Sequence, residues 1–212
     1  MALKDDMANL FPLFLKLDGR KCVVVGGGKI AESKLDLLLS SGANVEVVAP
    51  EATERIRNLD RAGRLRWAPY CFAPKDLDGA LLTIAATGST AVNEKVFLAA
   101  TDRGVLCNAV DDPERCDFYY PAVVHRGDLQ IAISTSGKSP ALAQRIRIEL
   151  EQRFDEGYGE WLSWLGSVRD LFFRRPIDPE RRRLALHKIA GSGVYERFRS
   201  SRQRRRQGAS HG

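Results

Sequence analysis

The sequence predicts an α/β fold built on a doubly wound parallel sheet, followed by a small β-containing segment and a helical C-terminal part. Three observations support this prediction. The apolar run Lys21–Val25 ends in the three glycines Gly26–Gly28 and passes directly into a helical segment. Strand-like and helix-like segments then alternate as far as residue 110, which is typical of a parallel sheet with crossover helices. Beyond residue 118 the alternation stops, and a hairpin and several helices follow.

The three glycines predict a site for a dinucleotide pyrophosphate. Gly26, Gly28 and Ala31 fit the pattern G-x-G-x-x-A. In this pattern the first glycine permits a tight turn, the second lets the backbone approach the phosphates, and the alanine allows close packing of helix on strand. Free N–H groups at the N-terminus of the helix attract the anion. We therefore expect a Rossmann-like dinucleotide site, and a plain strand-helix corner is the alternative.

The other elements of the sheet are predicted from apolar runs and from the helical spacing of leucines and alanines. We expect an additional N-terminal strand at Phe11–Leu17, joined to the next strand by a hairpin turn at Asp18-Gly19. Further strands are expected at residues 45–49, 65–70, 81–86 and 105–110, and helices at residues 31–39, 51–62 and 91–103.

The second part of the chain begins with two apolar runs, residues 118–124 and 129–134, which predict a hairpin. Ser139-Pro140 begins a helix, because serine is a favoured N-cap and proline a favoured first helical residue. Helices are predicted from residue 157 onward, and the Arg-rich tail from residue 202 is expected to fray. The sequence thus divides into three parts: residues 1–117, residues 118–150 and residues 151–212.

Charge separates the N-terminal and C-terminal parts of the chain. Residues 1–150 carry 19 Lys+Arg and 19 Asp+Glu, whereas residues 151–212 carry 14 and 8, so the net charge of +6 lies in the C-terminal part. This basic part could face an acidic substrate, nucleic acid or solvent. Arg204–Arg206 lack interleaved aromatic residues, so we predict no nucleic-acid partner.

Composition argues against several classes of protein. No apolar run is long enough to span a membrane, and Asp5 and Asp6 stand where a signal peptide would be basic, so we expect a cytoplasmic protein without a membrane partner. The four cysteines form no C-x-x-C pair, which indicates buried free thiols. The three histidines are widely spaced, so no metal site is predicted.

Residues after two predicted strands extend the dinucleotide site. An acidic residue near the end of the second strand often binds the adenosine ribose, and Glu51, after Pro50, occupies that place one or two residues late. The first arginine beyond it is Arg55, so the sequence favours NAD over NADP. The small residues Ala86 and Thr87 leave room for a cofactor across the sheet, although tight packing explains them equally well.

Two adjacent carboxylates, Asp111 and Asp112, follow the last predicted strand of the sheet and precede Pro113. This is the edge where a nicotinamide ring would lie, and a carboxylate there can accept the proton that leaves during hydride transfer. The alternative is that Asp-Asp-Pro only forms a turn. The pattern alone does not choose between these interpretations or between the two aspartates.

The loop that contains Thr135, Ser136, Gly137 and Lys138 precedes a predicted helix. Backbone N–H groups and a lysine at a helix N-terminus can bind an anion, so we predict a site for a carboxylate-rich ligand. Its Gly-Lys-Ser is also part of the P-loop pattern, but Ala132 stands where that pattern requires its first glycine. An ordinary helix cap is the alternative.

Taken together, these segments resemble the precorrin-2 dehydrogenase family, the NAD-dependent module of siroheme synthases. The similarity covers residues 10–150 and is more specific than the glycine motif alone. The motifs that carry it are, in chain order, Phe11–Leu15, Val24–Lys34, Ala85–Thr87, Cys107–Asp111, Phe118–Ala122 and Ile133–Ala143.

The resemblance implies oxidation of precorrin-2, an octacarboxylate, to sirohydrochlorin with NAD, and in some members insertion of ferrous iron to give siroheme. It implies that Asp111 is the catalytic carboxylate. It also implies a homodimer formed through residues 118–150, after an NAD-binding domain. The residues implied to contact NAD are Lys29, Ile30, Pro50 and Glu51, and those of the substrate-side loop are Thr135, Ser136, Gly137 and Lys138.

Two other functions stay open on the sequence alone. A different NAD-dependent dehydrogenase acting on a small hydroxy acid would need a His or Arg pair to polarise a carbonyl, and His125-Arg126 is the one candidate. A dinucleotide-sensing regulatory module would bind NAD without turnover. Turnover of precorrin-2 distinguishes both from the dehydrogenase of the resembled family.

Overall fold

A computed structural model describes residues 10–209, with side chains described as far as residue 201. The chain divides into two units, Phe11–Tyr120 and the unit that begins at Pro121. The predictions of a cytoplasmic protein and of no nucleic-acid partner used residues outside the described part. These are Asp5, Asp6 and the side chains of the Arg-rich tail. Across the described residues, no helix has both the length and the apolar character needed to cross a membrane.

The first unit contains a sheet of five parallel strands. The strands are β1 (Lys21–Val25), β2 (Asn44–Val48), β3 (Arg66–Ala68), β4 (Leu82–Ala85) and β5 (Leu106–Ala109). Their order across the sheet is β3-β2-β1-β4-β5, which confirms the predicted doubly wound sheet. The chain moves outward from β1 in one direction and then crosses back to β4. Ligands of such folds bind outside the carboxyl ends of the strands at this switch point.

Three helices connect the strands and cover both faces of the sheet. They are α1 (Lys29–Ser40), α2 (Glu54–Arg61) and α3 (Thr90–Thr101). Adjacent residues of β1 face opposite layers: Val24 belongs to the same apolar cluster as Leu35 of α1 and Ile56 of α2. Val23 clusters with Val96 of α3. All five side chains are fully buried, as expected for a central strand of a parallel sheet.

The N-terminal segment departs from the sequence prediction. Residues 11–17 form no strand, and only the predicted turn is present, with the Arg20 N–H donating to the Leu17 carbonyl at 2.8 Å. The predicted hairpin was wrong because β1 already pairs with β2 on one side and with β4 on the other, so it has no free edge. Phe11 and Phe14 are consequently 82% and 69% exposed.

The second unit contains a hairpin and four helices. Its elements are β6 (Ala122–Arg126), β7 (Leu129–Ile133), α4 (Pro140–Arg153), α5 (Gly157–Phe173), α6 (Pro179–Ile189) and α7 (Ser192–Ala209). The hairpin is antiparallel, and Ser139 Oγ accepts the Leu142 N–H at 3.2 Å, as predicted for an N-cap. The backbone of the Arg-rich tail is helical to Ala209, and fraying of this tail stays a prediction. The arginines and glutamines there favour a helix, and no proline interrupts them.

Aromatic side chains form the core between α5 and α7. The ring of Tyr195 lies 4.1 Å from that of Tyr158 and 5.1 Å from that of Trp161, measured between centroids. The Tyr195 hydroxyl donates to the carboxylate of Asp155, which lies between α4 and α5. This contact brings the end of α4 to the same core.

Arg126, at the end of β6, caps α4. Its side chain is 13% exposed. The guanidinium Nε donates to the Phe154 carbonyl at 2.8 Å, and Nη2 donates to the Glu151 carbonyl at 3.1 Å. These carbonyls lie at the C-terminal end of a helix, where they lack intrahelical partners and where a cation is favourable. Arg126 therefore joins the hairpin to the helices.

Replacing this cap should destabilise the second unit. Arg126→Ala is expected to lower the free energy of unfolding by about 2–4 kcal/mol, because two partly buried carbonyls lose their charged donor. The control is Arg145→Ala, whose side chain is 77% exposed and pairs with Glu149. That change should cost less than about 0.5 kcal/mol. Urea denaturation followed by tryptophan fluorescence measures both, and equal effects would contradict the capping role.

Candidate functional site

The glycine loop after β1 packs so closely against two other strand ends that no side chain fits between them. A Cβ on Gly26 would overlap the carbonyl oxygen of Ala86, and the φ of Gly26, 123°, is accessible mainly to glycine. A Cβ on Gly27 would overlap the carbonyl oxygen of Glu51, which follows Pro50 in an exposed segment. The structure therefore brings the predicted residues after β2 and β4 to the glycine loop.

Backbone hydrogen bonds fix the loop to the end of β2. The Gly26 N–H donates to the Val48 carbonyl at 3.0 Å. The Thr53 N–H donates to the Gly27 carbonyl at 2.9 Å. The segment that contains Glu51 is thus held at both of its ends, while the Glu51 side chain remains exposed.

Gly28 has the opposite environment to its two neighbours. A Cβ added there would meet no protein atom within 4 Å. Gly28 is the N-cap of α1, and no side chain caps this helix. The next residues, Lys29 and Ile30, are 83% and 51% exposed. Open space, uncapped N–H groups and an exposed lysine suit a phosphate, so the residues present fit the pyrophosphate of a dinucleotide.

Glu32 is a residue of this region that sequence reasoning missed. It is 9% exposed, and its pKa is lowered by a hydrogen bond from the Thr53 side chain and then by Lys29, whose Nζ lies 3.1 Å from Oε1. Thr53 is also the N-cap of α2. Glu32 therefore connects α1 to the start of α2. An acidic residue in the first turn of a helix is common, so the pattern gives no signal for this contact.

Asn93, in α3, fixes the loop after β4 and was also missed. Its Oδ1 accepts the Thr87 hydroxyl at 2.7 Å and the Thr87 N–H at 3.2 Å. Its Nδ2 donates to the Thr87 carbonyl at 3.3 Å. Of the two small residues predicted to leave room for a cofactor, Ala86 lies against Gly26 and Thr87 is held by Asn93. Contact of either with the cofactor stays a prediction.

The turn after β5 distinguishes the two aspartates. The Asp112 N–H donates to the Ala109 carbonyl at 3.2 Å, and Asp111, inside this turn, has a φ of 61°. Asp112 pairs with Arg115, whose Nη1 lies 2.6 Å from Oδ2. Asp111 is exposed, and within the described residues its carboxylate makes no hydrogen bond or ion pair. Asp-Asp-Pro thus forms a turn, and that turn presents one unpaired carboxylate.

The chain that follows this turn is fixed to β5. Asn108 is 8% exposed, and its Nδ2 donates to the Phe118 carbonyl at 2.7 Å. The Cys107 N–H donates to Asp117 Oδ2 at 2.8 Å. Burial raises the pKa of the Cys107 thiol to about 12, so this cysteine is protonated and unreactive at neutral pH. All four cysteines are free, but the prediction that they are buried holds only for Cys22 and Cys107: Cys116 is half-buried, and Cys71 is exposed because it lies in a loop after β3.

The loop before α4 forms a tight turn in the second unit. The Lys138 N–H donates to the Thr135 carbonyl at 3.0 Å, with φ values of 50° at Ser136 and 76° at Gly137. Thr135 Oγ1 also accepts the Ser139 N–H at 3.2 Å. Gly137 and Lys138 are exposed, and the first turn of α4 carries no acidic residue. The loop is a helix cap, and the geometry also leaves Lys138 free to meet an anion.

His125 and Arg126 do not form the carbonyl-polarising pair that a hydroxy-acid dehydrogenase would need. His125 Nε2 lies 3.1 Å from Gln130 Nε2 on the exposed hairpin, and Arg126 is engaged in capping α4. Within the part of the chain that the structure describes, no three His, Cys, Asp or Glu side chains form a cluster suited to a metal ion.

Two family models match the chain. Residues 13–122 match a model described as putative NAD(P)-binding, and residues 126–153 match one described as sirohaem biosynthesis protein, central. The first match covers the unit that contains the glycine loop and Asp111. The second covers the hairpin and α4, including the loop with Thr135 and Lys138.

Known proteins are similar over most of this chain. The siroheme synthase of Chromobacterium violaceum is 41% identical over 175 residues, which are 82% of this chain and 37% of that protein. Siroheme synthase 1 of Yersinia enterocolitica is 42% identical over 76% of this chain and 35% of its own length. The chain thus spans little more than a third of these relatives. The solved structure of SirC, precorrin-2 dehydrogenase, matches with a TM-score of 0.79 and 30% identity, covering 95% of this chain and all of that one.

A substitution at Gly28, where the structure has open space, tests the dinucleotide site directly. Gly28→Ala should leave the fold intact, because the added methyl group meets no protein atom within 4 Å. It should weaken NAD binding by about tenfold or more, because the methyl group occupies the space where the backbone approaches the phosphates. Gly166→Ala, in α5, is the matched control, because its added Cβ also meets no protein atom. Calorimetric titration with NAD measures both variants. Unchanged affinity in Gly28→Ala would show that the phosphates lie elsewhere.

Proposed function

This chain belongs to the precorrin-2 dehydrogenase family, and we propose that it oxidises precorrin-2 to sirohydrochlorin with NAD. The observation that carries the proposal is the unpaired carboxylate of Asp111 at the carboxyl edge of the sheet. It follows β5, which pairs with β4, and the residue after β4, Ala86, lies against the glycine loop. A dinucleotide site and a free proton acceptor therefore share one edge of one sheet.

The chain's own groups bind the cofactor and accept a proton. NAD, when bound, supplies the hydride acceptor. The N–H groups at the start of α1 and the open space at Gly28 bind the pyrophosphate. As a hydride leaves precorrin-2, Asp111 accepts the accompanying proton, so the macrocycle loses both and gains one double bond. Asp112 is a poorer candidate for this step because it is paired with Arg115.

The substrate side of the proposal rests on charge. Precorrin-2 is an octacarboxylate, and the loop before α4 presents the exposed Lys138 next to a helix whose first turn carries no acidic residue. We propose that the loop with Thr135, Ser136, Gly137 and Lys138 binds substrate carboxylates mainly through the Lys138 ammonium group. The N–H groups of Ser136, Lys138 and Ser139 already donate within the loop. The excess of basic residues after residue 150 favours an anionic substrate in the same way.

Several features of the proposal rest on the family resemblance or the sequence alone. They are assembly as a homodimer, ferrous iron as a second substrate, a cytoplasmic location, and the three-part division at residues 117 and 150. NAD contacts of Lys29, Ile30, Pro50 and Glu51 are proposals of the same kind.

Removing the proposed base should stop the reaction without affecting cofactor binding. Asp111→Asn is the suitable variant, because asparagine adopts a positive φ as readily as aspartate does. It should lower NADH formation from precorrin-2 by about 10²–10⁴-fold, the usual contribution of a general base. NAD affinity should be unchanged, since the residue acts on the proton.

The matched control is Asp102→Asn, an exposed aspartate after the C-terminal end of α3. Its turnover should equal that of the wild type. Both are measured under anaerobic conditions from NADH absorbance with enzymatically made precorrin-2. Turnover of Asp111→Asn at the wild-type rate would exclude Asp111 as the base.

The substrate loop is tested separately through Lys138→Ala. We expect the KM for precorrin-2 to rise about threefold to tenfold at low salt and the difference to shrink at high salt, because the contact is an exposed charge pair. The kcat should change little. Lys75→Ala, an exposed lysine of the first unit within the charge-balanced residues 1–150, is the control. A KM equal to that of the control would remove Lys138 from the substrate site.

A further inference from the structure

We propose that Arg115 and Cys116 position the base Asp111 by clamping the turn Ala109–Asp112 in its observed conformation. This proposal rests on the proposed function of Asp111. The two clamping residues act through the turn and are positioning residues; neither is required to touch substrate or cofactor.

The conformation of Asp111 requires support from its surroundings. Its φ of 61° lies in the left-handed region, which is less favourable for aspartate than for glycine. Such conformations persist where neighbouring contacts hold them, and they are common at functional sites. Within the described residues, the Asp111 side chain makes no hydrogen bond or ion pair that would hold it. The support must therefore come from the residues around the turn.

Arg115 fixes one end of the turn to a packed helix. Its Nη1 donates to Asp112 Oδ2 at 2.6 Å, and its Nη2 donates to Glu94 Oε1 at 2.9 Å. These hydrogen bonds, first that to Asp112, raise the pKa of Arg115. Glu94 belongs to α3, which packs on the sheet through buried Val96. The bridge thus ties Asp112, the neighbour of the base, to a rigid element.

Cys116 spans both ends of the same turn. Its Sγ lies 3.2 Å from the carbonyl oxygen of Ala109 and 3.2 Å from that of Asp112. Burial raises the pKa of the thiol, so it is protonated and can donate to either carbonyl. Asn108 Nδ2 lies 3.4 Å from the sulfur, and Asn108 pairs with Cys116 in an antiparallel bridge. The thiol is therefore held in place by β5.

The first test removes the bridge to α3. Arg115→Ala should lower kcat for precorrin-2 oxidation by about tenfold to a hundredfold, as expected when a reacting group is displaced by about an ångström. The KM values for NAD and precorrin-2 should stay within about twofold, because Arg115 binds neither. Partial unfolding would also lower the apparent kcat at unchanged KM, so kcat is calculated per NAD-binding site, counted by calorimetric titration of each variant.

The matched control is Arg103→Ala. Arg103 pairs with Asp78 at 3.0 Å, and its side chain is 31% exposed, compared with 28% for Arg115. It lies beyond the C-terminal end of α3, away from the turn. Its kcat should equal that of the wild type. Equal kcat in Arg115→Ala and the wild type would overturn the proposal, and so would a rise in the KM for precorrin-2 without a change in kcat.

Two further measurements extend the test: amide exchange, which does not depend on turnover, and a pair of variants of Cys116. The Asp112 N–H, which closes the turn, should exchange with solvent faster in Arg115→Ala, whereas the Ala86 N–H, which donates to Val25, should not. Cys116→Ser, which keeps a donor, should retain more of kcat than Cys116→Ala. Equal exchange rates at Asp112, or equal kcat in the two cysteine variants, would contradict the clamp. A wild-type chain that does not oxidise precorrin-2 would instead contradict the proposed function, whatever the exchange rates show.

Discussion

The close approach of backbone to backbone at the glycine loop is the constraint on which the site depends. Carbonyl oxygens of Glu51 and Ala86 occupy the space where side chains of residues 27 and 26 would be. Because these two glycines have no Cβ, the chain after β2 and after β4 can lie directly against the end of β1. Gly28 then opens onto unfilled space instead of protein. One short run of glycines therefore both assembles the sheet edge and leaves it accessible to a phosphate.

Helix α3 connects the two halves of the proposed chemistry. Consecutive residues of this helix, Asn93 and Glu94, bind opposite partners: Asn93 fixes Thr87 at the end of β4, and Glu94 binds Arg115 beside the turn after β5. The loop after β4, on the proposed cofactor side, and the turn after β5, which carries the proposed base, are therefore both held by contacts with α3.

Local patterns were sufficient to predict much of this fold. The strand-glycine-helix motif, the alternation of strands and helices, the hairpin and the Ser139 cap each depend on residues close together in sequence, and the structure confirms them. The N-terminal strand failed because pairing depends on strand order, and β1 is central. The same limit applies to the site. The pair Asp111-Asp112 was found from its place after a strand, and the family resemblance pointed to Asp111. Its left-handed φ and the contacts of Asn93 and Arg115 with other elements depend on long-range packing that no local pattern encodes.

The central claim is that the unit with the glycine loop oxidises precorrin-2 and passes the hydride to NAD. Its most direct test is anaerobic incubation of the wild-type protein with enzymatically made precorrin-2, with and without NAD and ferrous iron, followed by visible spectroscopy. The account predicts the spectrum of sirohydrochlorin when NAD is present and no conversion when it is absent. A folded, NAD-binding protein that leaves the precorrin-2 spectrum unchanged would contradict it and favour a dinucleotide sensor.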